Sequence, residues 1–229
     1  MQCQMYTDTL LMQFAKTPES GRVKTRLAKT MGDDLALRIH CRLVLDTLLA
    51  IQGRWPQQLW WSSHPDSLVR PVPGCVEATL SELDTLCIRY NIGRFTQQGA
   101  DLGQRMAHAL ISGDRQQGNR VILAGSDCPV LDENYIESAF RALEKSSYVL
   151  GPAEDGGYVL VGINRRLVSD AVVQAVFSEV NWGTGEVLEK TLDNIRNAGL
   201  DYQLLPELWD VDEEADWRRF QKQASVVLF

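Results

Sequence analysis

Short, uniformly apolar runs alternate along the chain with longer stretches in which apolar residues recur every three or four positions. Thr9-Leu-Leu-Met-Gln-Phe-Ala15 is the first such run. It stops at a polar loop containing Pro18 and Gly21, and so reads as a buried strand. Gln58 to Ser62, Val121 to Ala124, Tyr148 to Leu150 and Tyr158 to Val161 read as further strands. Between Asp33 and Ile51, Leu35, Ile39 and Leu43 keep helical spacing, with Gly32-Asp33 as the start. Asp132, a good N-cap, opens a helix with Ile136, Ala139, Phe140 and Leu143 on one face. Leu188, Thr191, Leu192 and Ile195 place another from Glu186 to Gly199, and a last helix covers roughly Glu213 to Gln223.

This alternation predicts an α/β fold whose mostly parallel sheet carries helices on both faces. In such sheets ligands bind at the carboxyl ends of the strands, beside a switch in strand order. The 229 residues suit one domain spanning 1–229, and the Pro- and Gly-containing stretch from Pro65 to Gly74 is too short to divide it. A net charge of −7 makes a generally basic nucleic-acid surface a poor expectation. No apolar run approaches the ~18 residues a bilayer span needs. The five cysteines, Cys3, Cys41, Cys75, Cys87 and Cys128, form no C-x-x-C pair and read as reduced thiols. Together with a first stretch, Met1 to Thr9, that lacks a basic leader, they suggest a cytoplasmic protein. His40, His64 and His108 are isolated, giving no His-rich metal site.

Chemistry concentrates in loops that follow predicted strands. Lys16-Thr-Pro-Glu-Ser-Gly-Arg-Val-Lys-Thr-Arg26 gathers Lys16, Arg22, Lys24 and Arg26 around Gly21. The glycine permits close backbone approach and the cations suit phosphate oxygens, although a solvated basic turn fits the charges equally well. The loop matches neither G-x-x-x-x-G-K-[ST] nor G-x-G-x-x-G. Gly125-Ser-Asp-Cys-Pro129 follows the Val121 strand, so Asp127 can hold Mg²⁺ or Mn²⁺ or can cap its own turn. In Gly151-Pro-Ala-Glu-Asp-Gly-Gly-Tyr158, Glu154 or Asp155 can project into a cleft, against the plainer reading of an Asp-Gly hairpin. Asp210-Val-Asp212 offers two carboxylates that share a metal or divide into a helix cap and a solvated charge.

Two glycine-containing turns add donors. Trp182-Gly-Thr-Gly185, with Thr184, stands before a helix and suits an anion or merely caps it. Gln98 to Met106 joins a loop to a helix start, with Asp101 as N-cap and Arg105 as a lesser ligand contact. There is no G-x-S-x-G elbow, and Cys128 has no local activation, which leaves it a structural role.

In order along the chain, these segments form a set: Phe14-Ala-Lys-x-Pro-x-x-Gly-x-Val-Lys-Thr-Arg-Leu27, Gln98-Gly-x-Asp-Leu-Gly-x-Arg-Met106, Gly125-Ser-Asp-x-Pro-x-Leu131, Gly151-Pro-Ala-x-Asp-Gly-Gly-Tyr158, Trp182-x-Thr-x-x-Val-Leu188 and Asp210-Val-Asp212. The set resembles the glycosyltransferase-A-like family of bacterial transferases in the nucleotide-diphospho-sugar transferase superfamily, and more distantly the 2-phospholactate and molybdenum-cofactor guanylyltransferases. It spans about Leu11 to Phe220. The chain departs from the family pattern at Val159, at Gly183 before Thr184 and at Glu213, none of which removes an expected ligand.

The resemblance implies a Rossmann-like three-layer α/β/α sandwich with a mixed sheet. It implies that Lys16, Gly21, Arg22, Lys24 and Arg26, with Arg105 and Gly125, hold nucleotide phosphates. Asp127 and Asp212 would bind Mg²⁺ or Mn²⁺, while Asp155, Gly156, Gly157, Tyr158, Trp182 and Thr184 would face the sugar or acceptor. Asp155, Asp127 and Lys24 are then the expected catalytic residues. The expected partners are a nucleotide or nucleotide-sugar donor and a small-molecule acceptor. Glycosyl transfer from an NDP-sugar is the leading expectation, with NMP transfer from an NTP next and a non-catalytic nucleotide-binding protein third. The four cations alone lean toward a triphosphate.

Overall fold

A computed structural model describes residues 8–52, 54–63, 74–113 and 118–224 of the chain. Seven strands build one sheet: β1 (Thr9–Ala15), β2 (Gln57–Trp61), β3 (Gly93–Thr96), β4 (Arg120–Gly125), β5 (Tyr148–Pro152), β6 (Tyr158–Asn164) and β7 (Tyr202–Leu204). Their order across the sheet is β3-β2-β1-β4-β6-β5-β7. β1 runs parallel to β2 and β4, β2 to β3, and β5 to β7, whereas β6 is antiparallel to both β4 and β5. Two strands lie on the β2 side of β1 and four on the β4 side. The strand order therefore reverses between β1 and β4, and a crevice opens above their carboxyl ends.

The helices are α1 (Thr25–Met31), α2 (Asp33–Ile51), α3 (Gly74–Arg89), α4 (Leu102–Ser112), α5 (Glu133–Ala142), α6 (Asp170–Val176), α7 (Val187–Asn197) and α8 (Glu214–Ala224). Alternate residues of β1 feed opposite faces of the sheet. Leu10, Met12 and Phe14 pack with Met106 and Leu110 of α4, Val173 of α6 and Ile195 of α7. Leu11 packs on the other face with Ile136, Ala139 and Phe140 of α5. α2 carries two apolar stripes. Val44 and Leu48 meet Leu83 and Leu86 of α3, while Ile39 and Leu43 meet Trp217 and Phe220 of α8. The architecture is thus the mixed α/β/α sandwich expected.

Most element ends differ from the sequence reading by one or two residues, as fraying and cap geometry allow, while β6 runs three residues further, from Val161 on to Asn164. Asp132 Oδ1 accepts from Tyr135 N (2.8 Å) and Asp101 Oδ1 from Gln104 N (2.8 Å), so both aspartates cap their helices. Five elements had no sequence expectation: β3, β7, α1, α3 and α6. β3 has four residues with Phe95 as its one large apolar side chain, α6 is seven residues rich in β-branched Val, and α3 shows only a weak apolar stripe. The residues before Asp8, His64 and most of the Pro65–Gly74 stretch lie outside the described residues. No described helix is long and apolar enough to cross a membrane.

Candidate functional site

The crevice at the reversal point is a cavity of about 400 Å³. Its charged and polar lining includes Lys16 from the loop after β1, Asp127 after β4, Asp155 after β5, and Asp210. Phe14, Leu102, Met106, Trp182 and Val187 supply an apolar wall, with Arg105 at its edge.

The loop after β1 is fixed from below by hydroxyls. Thr17 is buried; its Oγ1 donates to Ser63 O (2.6 Å) and accepts from Ser63 N (2.9 Å), and its N–H donates to Ser62 Oγ (2.9 Å). These bonds leave the preceding Lys16 exposed on the cavity wall. The other cations diverge. Arg22 stands in solvent, its side chain 78% exposed and its Nε 3.3 Å from Glu19. Arg26 Nη1 bonds Asp212 Oδ2 at 2.8 Å. Lys24 is only 4% exposed, its Nζ donating to Val211 O (2.5 Å) and lying 2.7 Å from Asp127 Oδ1. That second approach is a charge contact, since Asp127 Oδ1 has no hydrogen bond of regular geometry. Gly21 takes φ +75°, where a side chain would be strained, and faces Asp33 rather than the cavity.

Asp127 and Asp210 form the acidic centre. Burial alone would raise the Asp127 carboxyl, but Lys24, His40 and Lys16 hold it below the ordinary carboxylate range. Its side chain remains 42% exposed, which leaves a charged oxygen for the cavity. Asp210 is pushed up to about 6 by burial and by the carboxylates of Asp155, Asp127 and Asp212, against an opposing pull from Lys24. Val211 N donates to Asp127 O (2.9 Å), so the 210–212 segment lies alongside the β4 turn. The cavity receives Asp210, while Asp212 turns to Arg26.

The opposite wall is the hairpin between β5 and β6. Asp155 Oδ1 accepts from Gly157 N (2.8 Å), which orients the carboxylate, and the residue lines the cavity. Glu154 instead forms a two-pronged pair with Arg219 at 2.8 and 3.1 Å. Gly156 lies against the Trp182 turn, and Gly103 lies so close to Trp182 that a Cβ there would sit 2.8 Å from the indole. Arg105 donates to Gly99 O (3.1 Å), and Thr184 Oγ1 to Asn181 O (2.8 Å). Tyr158 lines the cavity, and burial raises its phenol pKa. Burial also pushes the Cys128 thiol up to about 12, in keeping with a structural role.

Lys16, Arg105, Gly125, Asp127, Asp155, Gly157, Tyr158, Trp182 and Thr184 thus meet at the cavity. Gly21, Arg22, Lys24, Arg26, Gly156 and Asp212 stand outside its lining. His40 enters it without sequence warning, because its place in α2 beside Ile39 looks like a core position. The ring is buried and its Nε2 pairs with Lys16 O at 2.9 Å. Burial lowers its pKa; Asp127 and the Lys16 carbonyl oppose this, while the Lys24 and Lys16 charges add to it. The folded state therefore binds the proton less readily than the unfolded chain. The stability His40 confers is present above about pH 6.5 and is lost as pH falls toward its depressed folded value. Thermal midpoints should fall between pH 7 and 5, and His40→Gln should flatten that slope; an unchanged slope would remove His40 as its source.

The donor set fits a hard cation. Two carboxylates beside an open cavity supply oxygens, and Asp210 is raised by burial first and by the neighbouring carboxylates next. Among the described residues no group of three or more His, Cys, Asp and Glu side chains gathers to hold a metal. A cation here would draw its remaining ligands from phosphate and water, as Mg²⁺ does.

A family model described as "Uncharacterized protein conserved in bacteria (DUF2064)" matches residues 44–184. The chain is similar to a protein from Desulfovibrio desulfuricans G20, provisionally described as a nucleotide-diphospho-sugar transferase. The two share 28% identity, with a TM-score of 0.78 over 95% of this chain and 89% of that one. The fold is shared by 4-diphosphocytidyl-2C-methyl-D-erythritol synthase from Anaerococcus prevotii DSM 20548 (10% identity, TM-score 0.60, 96% and 99% covered). It is shared also by a cytidylyltransferase from Leptospira borgpetersenii serovar Hardjo-bovis (10%, 0.54, 98% and 89%). No curated protein matches.

Proposed function

The chain belongs to the DUF2064 family, and from the geometry of the crevice we propose a metal-dependent transferase that uses a nucleotide-activated donor of the sugar-nucleotide type. The observation that carries this reading is the pair of carboxylates, Asp127 and Asp210, facing one cavity at the β1–β4 reversal, with Lys16 on its wall. The similarity to the Desulfovibrio protein supports it.

Charge favours a diphosphate donor. Of the four cations in the loop, Lys24 and Arg26 are engaged by Asp127 and Asp212, Arg22 faces solvent, and Lys16 alone lines the cavity. That loop offers less compensation than a triphosphate asks for. Mg²⁺ or Mn²⁺ held by Asp127 and Asp210 would neutralise charge on the donor phosphates. Lys16 and Arg105 would grip phosphate oxygens, and Trp182 would pack on a sugar face. In the transfer, an acceptor hydroxyl oxygen bonds to the anomeric carbon as the bond from that carbon to the β-phosphate oxygen breaks. The nucleoside diphosphate leaves with the electron pair, and the hydroxyl proton passes to Asp155, whose orientation by Gly157 N–H suits a base.

A turnover screen of NDP-sugars and NTPs, with and without Mg²⁺, tests this. Mg²⁺-dependent release of a nucleoside diphosphate from a sugar nucleotide is expected, slow with water and faster with the acceptor. Pyrophosphate release from an NTP would replace this reading with nucleotidyl transfer. Binding without turnover of any donor would leave a non-catalytic nucleotide-binding protein.

A further inference from the structure

Lys24 combines three features that do not suit a phosphate ligand. It is a non-glycine residue in the left-handed region (φ 48°, ψ 46°), where L-residues are strained. Its side chain is 4% exposed, and the residue is absent from the cavity lining. Its ammonium is already engaged, by Val211 O at 2.5 Å and by Asp127 Oδ1 at 2.7 Å. The strained turn sits at the entrance to α1, where the Lys24 carbonyl accepts from Ala28 N (2.8 Å). It sends the side chain inward, beneath the acidic centre, instead of out toward the ligand.

We infer that Lys24 is a positioning residue: a built-in counter-ion that pins the 210–212 segment to the β4 turn and so sets Asp210 beside Asp127. Both polar groups of the Val211 backbone are committed to this junction. Its N–H bonds Asp127 O at 2.9 Å and its C=O receives Lys24. Fixing Val211 in this way holds its two neighbours at the junction, with Asp210 in the cavity lining and Asp212 paired with Arg26 outside it. Lys24 also balances one carboxylate of the pair, so that two like charges can face the same cavity. The inference rests on the reading of Asp127 and Asp210 as the acidic centre, and it removes Lys24 from the groups that touch the donor.

The test uses the full chain with Lys24→Met, Asp127→Asn and the double variant. A buried charge stripped of its partner is costly, so Lys24→Met alone should lower Tm by about 10 °C. In the Asp127→Asn background, where no carboxylate is orphaned, the same change should cost less than half as much. An equal drop in both backgrounds overturns the pairing. Pyrophosphate titrated in EDTA should bind Lys24→Met within about threefold of the parent protein. If that variant folds poorly, Asp127→Asn and the double variant make the same comparison. Weakening of tenfold or more would mean that Lys24 grips phosphate, and the inference fails. With a donor that turns over, Lys24→Met should lower kcat by about 10²-fold while donor KM stays within threefold, the signature of displaced carboxylates. A rise in KM alone contradicts it. If no donor turns over, the proposed transfer falls, while the melting cycle and the pyrophosphate titration still decide the role of Lys24.

Discussion

Asp127→Ala should abolish the metal-dependent part of nucleotide binding and lower turnover by about 10³-fold, the scale of removing one preorganised electrostatic group from an active site. Asp127 leaves the end of β4 at the strand-order reversal, is kept ionised by Lys24, and holds one oxygen in reserve for the cavity. Among the described residues no other cavity carboxylate forms an ion pair: Asp210 is raised to about 6 by burial and like charge, and Asp155 is tied to a backbone N–H. Losing Asp127 also strips Lys24 of its partner, so alanine should destabilise the fold as well. Asp127→Asn separates the two effects. It keeps the shape without the charge and should lose comparable activity with less loss of stability. Isothermal titration of nucleotide with and without Mg²⁺ decides the matter, and an unchanged metal-dependent increment in Asp127→Ala would refute the assignment.

Long periodic segments and caps could be read from the chain because their signals are local. The 3.6-residue stripe of α2, the Asp132 and Asp101 caps and the apolar run of β1 all lie within a few residues of sequence. β3 escaped because an edge strand of four residues needs little apolar patterning. The cations of the first loop show a different limit. Composition registers four positive charges near Gly21, but their partners are remote: Lys24 meets Val211 across 187 positions and Arg26 meets Asp212 across 186. Clustered charge suggested a polyphosphate grip, and the tertiary structure engages half of it internally. The choice between Asp210 and Asp212 was likewise out of reach of spacing. Alternation says that the two share a side, and only the Val211 register and the Arg26 contact decide which one reaches the cavity.

The other large effect is expected at Gly156. Its φ is +85°, and a Cβ there would sit 2.1 Å from Gly185 O, a backbone atom with no side-chain freedom to yield. Gly183 has nearly the same φ, +80°, but nothing within 4 Å. The pair therefore separates backbone strain from close approach. Gly183→Ala should cost about 1 kcal/mol, the strain alone. Gly156→Ala carries that strain plus a clash and should cost about 3–4 kcal/mol, a fall in Tm of roughly 10 °C. To relieve the contact, the hairpin loop must move off the Trp182 turn, stretching the Leu188 N–Gly156 O bond of 2.9 Å and carrying the adjacent Asp155 with it. A displacement near 1 Å at a reacting group costs on the order of 10²-fold in rate. Turnover of Gly156→Ala measured well below its Tm should therefore fall about that far, while Gly183→Ala stays within severalfold of the parent protein. If the two variants match in both melting and turnover, the Gly156–Gly185 contact does not hold Asp155 in place.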